Sequence, residues 1–152
     1  MTRFGRPGTA AALALAATAL TTPTAHATTG TRTLTCTQTS VTRPAYKRAA
    51  TGTIDATDTL LSATVTHVAT GKVDITTNHP VLDNTFLDGW YLTHNNWNTW
   101  RLGIAGTGQY PVYYLLIPAT PIPTGTPVNG LVYIDFGPQG GANSFQMTCT
   151  AT

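Results

Sequence analysis

The segment Thr31-Arg32-Thr33-Leu34-Thr35-Cys36-Thr37-Gln38-Thr39-Ser40 is the plainest pointer to the architecture of this chain. Threonine recurs at every second position, and the residues between include Leu34 and Cys36, so the segment has the two-residue period of a strand with one face in a core. A matching stretch runs from Ser144 to Thr150, where Phe145, Met147 and Cys149 share one face. Cys36 and Cys149 are the only two cysteines, and both fall in the phase that points inward. They are expected to pair and tie the two ends of the domain, which destabilises the unfolded chain by ~4–5 kcal/mol in the loop-entropy account.

The same period continues outward from these segments. Thr53 to Thr57 alternates around Ile54 and Ala56, and Leu61, Ala63, Val65 and His67 share a face opposite Ser62, Thr64 and Thr66. Ala69-Thr70-Gly71 reads as a turn into Lys72 to Thr77, with Val73 and Ile75 inward and Lys72, Asp74 and Thr76 outward, so a hairpin is expected. Asn78 to Asp88 is irregular, with a short strand around Phe86. Tyr110 to Ile117 is apolar on both faces, as a central strand should be. Prolines at 118, 121, 123 and 127 make 118–130 a stiffened, extended loop. Val132, Ile134 and Phe136 then face in, and Gly137 to Asn143 makes a glycine-rich turn. Threonine is abundant and glutamate absent, which favours strands over helices. The expected fold is a single-domain, all-β antiparallel β-sandwich of seven to nine short strands, with a β-barrel as the alternative.

Arg3 and Arg6 precede an apolar run from Ala10 to Leu20, and Ala25-His26-Ala27 follows as a small-x-small site. This order reads as a secretory signal peptide over 1–27, cleaved after Ala27, with 28–152 as the exported, extracellular domain. The run has about half of the ~20 apolar residues a membrane helix needs, so no membrane span is expected. Export also takes the two cysteines to a compartment where disulfides persist. Sparse lysine beside much alanine, glycine and threonine points to a high-GC bacterial source.

Loss of Arg3 and Arg6 leaves six basic residues against six aspartates, a neutral domain. Arg43, Lys47 and Arg48 are the one basic grouping and read as a solvated loop. Neither nucleic acid nor an anionic membrane is therefore an expected partner. The aspartates at 55, 58, 74, 83, 88 and 135 form no recognisable acid/base pair, and Asp83 and Asp88 near His79 match no metal-site spacing. No serine sits in a nucleophile elbow, and His67 reads as a core histidine rather than a base. No catalytic residue, metal or cofactor is assigned.

All three tryptophans fall between Trp90 and Trp100. Asn95-Asn96 can adopt the positive φ values of a tight turn, which places His94 opposite Trp97, Leu92 opposite Thr99 and Trp90 opposite Arg101 on one face. Tyr91 and Trp100 belong to the other face and are expected to be buried. Trp90, His94, Asn95, Asn96, Trp97 and Arg101 are the candidate ligand site: aromatic planes stack on the C–H face of a sugar while the polar groups orient its hydroxyls. An extracellular glycan held without catalysis is the leading expectation. A rival reading is a protein-binding module, such as an inhibitor of a secreted protease, that presents the low-entropy loop 118–130 to a secreted protein. A third is a structural or surface-assembly protein using an outer patch of Leu131, Tyr133 and Asp135, which loop 118–130 is otherwise expected to cover.

Overall fold

The computed structural model describes residues 30–39, 46–85, 96–103 and 109–152. Among these residues alternation is realised in nine strands: β1 (Arg32–Gln38), β2 (Arg48–Ile54), β3 (Leu60–His67), β4 (Lys72–Thr77), β5 (Val81–Leu82), β6 (Trp97–Arg101), β7 (Val112–Pro118), β8 (Val128–Asp135) and β9 (Ala142–Ala151). Every pairing between these strands is antiparallel, in one sheet ordered β4-β3-β2-β1-β9-β8-β7-β6-β5. The chain is all-β, with no α-helix among the described residues. Phe86 lies outside the described residues, and the short strand of that region is Val81–Leu82.

The sheet curls into a half-barrel, so its two halves face each other as the layers of a sandwich do while the ladder between them stays continuous. One core results. Leu34, Ala50, Ile54, Ala63 and Val65 from the first half meet Trp100, Leu102, Leu115, Ile117, Val132, Ile134 and Met147 from the second. Full burial of each large aliphatic side chain is worth roughly 1.5–3 kcal/mol against ordering entropy. Cys36 stands directly opposite Cys149 on β1 and β9, both fully buried, and the two form the disulfide. Gly130 on β8 makes room for it: a Cβ there would lie 2.7 Å from Cys149 Sγ.

Two bulges correct the inward and outward assignments. Val65 pairs with Ile75 but Thr66 pairs with Val73, so Asp74 is an extra residue in β4. Beyond the slip, phases invert. Val73 is 52 % exposed, whereas the Asp74 side chain is only 10 % exposed and its Oδ2 lies 2.5 Å from Arg48 Nε. Arg48 is thus no solvated loop residue; it opens β2 with its guanidinium 5.5 Å from the centre of the Phe145 ring. Arg43 lies outside the described residues. A second slip between Thr53 and Ile54 puts Leu60 rather than Leu61 into the core. Ala56 leaves the strand for a turn in which Asp55 Oδ1 accepts from Thr57 N (2.7 Å), Thr57 Oγ1 (2.7 Å) and Thr59 N (3.0 Å). The Thr57 hydroxyl bond, opposed by burial and aided by the two backbone donors, holds the Asp55 carboxyl below the usual carboxylate range.

Loop 118–130 makes an inward contact of its own. It turns Ile122 into the end of the core, where that side chain is buried. Asp58 Oδ2 accepts from Ile122 N (2.8 Å), Arg32 Nη1 donates to Ile122 O (2.7 Å), and Arg32 pairs with Asp58. The loop ends at Pro127, because Val128 already pairs with Cys149 in β8. Phe136, expected inside, is 40 % exposed: β8 stops at Asp135, whose carboxylate takes the Gly137 N–H and starts the turn.

Candidate functional site

On β6, Asn98 and Trp100 point inward, and Trp97, Thr99 and Arg101 outward, as strand alternation requires. Trp100 is buried in the core as expected. On the outer face, Tyr114 and Leu116 of β7 and Leu131 of β8 form a second buried cluster, with Trp97, Val112 and Tyr133 packed against it. The rings of Tyr114 and Tyr133 meet edge to face, 6.2 Å between centroids at 64°. Burial pushes the Tyr114 phenol up to about 12, with the nearby Asp83 charge adding to the shift. Tyr113 faces the core instead, and its phenol is raised by burial and then by Asp74, with Arg48 opposing.

Trp97 also walls a cavity of about 190 Å³ on this outer face, lined further by Thr39, Asn129, Gly130, Gln146 and Met147. Sheet register assembles it. Gln146 stands opposite Leu131, and Asn129 opposite Thr148. Thr39 N and Oγ1 both donate to the Gln146 carbonyl, at 3.2 and 3.3 Å. Trp97 is opposite Pro118, and extending the β7–β8 register puts Pro118 beside Asn129. Among the described residues, no charged side chain lines the cavity.

The expected hairpin site is only partly visible. Trp90, His94 and Asn95 lie outside the described residues. Asn96 is exposed with φ of 48°, and its carbonyl accepts from Ala119 N at 2.8 Å. The two edges of Thr99–Arg101 are occupied differently from expectation. Tyr114 and Leu116 pair on one side, and Val81, with Asp83 and Asn84, on the other. Arg101 lies four residues from Trp97, roughly 13 Å along the strand, with its Nη1 3.5 Å from Asp83 Oδ2. The structure therefore groups Trp97 with Thr39, Asn129 and Gln146 rather than with Arg101.

No family model, curated protein or solved structure matches this chain. The site is accordingly read from its own chemistry. Gln146 was recoverable from the alternation of β9, where Phe145 and Met147 face in. Asn129 was hidden because proline density assigned its segment to a loop, and Thr39 because its neighbours come from the far end of the chain.

Proposed function

We propose that this chain is a secreted, non-catalytic carbohydrate-binding domain whose ligand stacks on Trp97. The observation that carries this reading is an indole beside two carboxamides and a hydroxyl, Asn129, Gln146 and Thr39, in one cavity whose described lining carries no charge. A pyranose ring has an apolar C–H face that suits the indole plane and a rim of hydroxyls that need donors and acceptors together, which carboxamides supply. The cavity is small by ligand-site standards, a size suited to one sugar unit rather than a whole oligosaccharide. Export is supported by the basic, apolar, Ala25-His26-Ala27 leader and by the disulfide.

Affinity gel electrophoresis in soluble neutral polysaccharides tests the proposal. Wild-type protein is expected to be retarded in at least one neutral glycan, and Trp97→Ala and Gln146→Ala to migrate freely in it. Equal retardation of Trp97→Ala and wild type would refute the site.

A further inference from the structure

We infer that the ligand is an extended, uncharged polysaccharide that runs from the Trp97 cavity across the strands onto the threonine face, rather than a free monosaccharide or an acidic glycan. This rests on the reading of Trp97 as a sugar platform and adds the course of the chain.

The argument comes from register. Asn129 of the cavity is opposite Thr148, Thr148 is opposite Thr37, Thr37 is opposite Ala49, and Ala49 is opposite Thr66. Trp97, Pro118, Asn129, Thr148, Thr37, Ala49 and Thr66 thus form one row across seven adjacent strands. The next row repeats the pattern, with Thr150, Thr35, Thr51, Thr64 and Thr76 opposite one another in turn. Adjacent strands are roughly 4.8 Å apart, close to the length of one hexose unit in an extended glycan. Asn129, Thr148, Thr37 and Thr66 of the first row therefore each offer a hydroxyl or amide at about the spacing of one sugar, and Pro118 and Ala49 offer apolar surface between them. Thr37, Thr35 and Asn129 are exposed, and Thr148 and Thr66 are half-exposed.

Charge narrows the ligand further. Neither row contains an ionisable side chain, because Arg48, Asp74 and the core-facing disulfide occupy the inner face. An anionic glycan would find no cation within these two rows, whereas a neutral one needs only the hydroxyls and methyls present. Several shallow contacts in series compensate for the small cavity.

The test is chain-length dependence. The neutral polysaccharide that retards the protein most is cut into oligomers from dimer to octamer, and binding is measured by calorimetry for wild type, Thr37→Glu and Trp97→Ala. Affinity is expected to rise about tenfold or more from dimer to hexamer, a gain of about 1.4 kcal/mol, on the scale of one or two net neutral hydrogen bonds. Thr37→Glu should lose that gain and keep dimer affinity. A flat dependence on length, with dimer binding still abolished by Trp97→Ala, overturns the extended course and leaves the Trp97 site standing. Stronger retention in acidic than in neutral polymers overturns the assignment to an uncharged ligand. Binding by no oligomer or polymer overturns the sugar reading itself.

Discussion

Gly52 offers a direct test of how closely the strands approach. It lies on the inner face of β2, opposite Leu34 and Ala63. A Cβ built there would sit 2.4 Å from the Ser62 carbonyl oxygen and 3.2 Å from Leu60 Cδ1. The obstructing oxygen is main chain, so no rotamer change relieves it. Restoring ordinary contact requires β3 to shift by about 1 Å beside the bulge that seats Leu60 in the core, and overpacking of this kind costs about 1–3 kcal/mol. An alanine otherwise gains about 0.5–1 kcal/mol over glycine in a strand by restricting the unfolded chain. The net expectation for Gly52→Ala is a loss of about 1 kcal/mol, or a fall of about 0.5 M in urea midpoint at an m-value near 2 kcal/mol/M. Thr51→Ala, one residue away on the exposed face, should stay within about 0.5 kcal/mol of wild type. Urea denaturation followed by tryptophan fluorescence measures all three proteins. A Gly52→Ala midpoint equal to or above wild type would refute the close approach.

Two further outcomes follow from other parts of the sheet. Asp58 has φ of 62° and holds both Arg32 and the Ile122 N–H, so Asp58→Ala strands a cation and a donor and should cost about 3 kcal/mol. Asp58→Asn keeps an acceptor and tolerates that backbone, and should cost less; thermal unfolding that ranks the two in the opposite order rejects the clamp. The raised phenols of Tyr113 and Tyr114 favour the neutral form in the folded state. Their contribution to stability is therefore present below the ordinary phenol pKa near 10 and is lost as pH climbs from there through the folded-state value, about 12 for Tyr114. A Tyr114→Phe difference titration of phenolate absorbance should show the missing ionisation at the late end, and an early one would contradict its burial.

Strand identity was legible wherever alternation ran unbroken. Leu34 with Cys36, and Met147 with Cys149, carry their own phase, so the disulfide and the two central strands followed from spacing. Val73 and Leu61 were misplaced because each adjoins a bulge: one extra residue inverts every later side chain, and no residue type announces it. Ile122 was illegible for another reason. Four prolines identify the loop but not its direction, which depends on Arg32 and Asp58 reaching it from distant parts of the chain. Trp97 was recognised from its ring, while Thr39, Asn129 and Gln146 were not, because their proximity is a property of register between β1, β8 and β9 rather than of local sequence.

The placement of β1 beside β9 also bears on how the protein forms. Thr33 and Thr152 exchange backbone hydrogen bonds at 2.8 and 2.9 Å, so the seam joining the two halves is built from the most distant parts of the described chain. A circular permutant linked at that seam and opened between β4 and β5 would run β5 to β9 and then β1 to β4, each strand beside its predecessor. Its one long-range ladder, β1 with β9, would become local, and topology alone predicts that it collapses to the same sheet faster than the natural order, which has to wait for its final strand before either half has its inner neighbour.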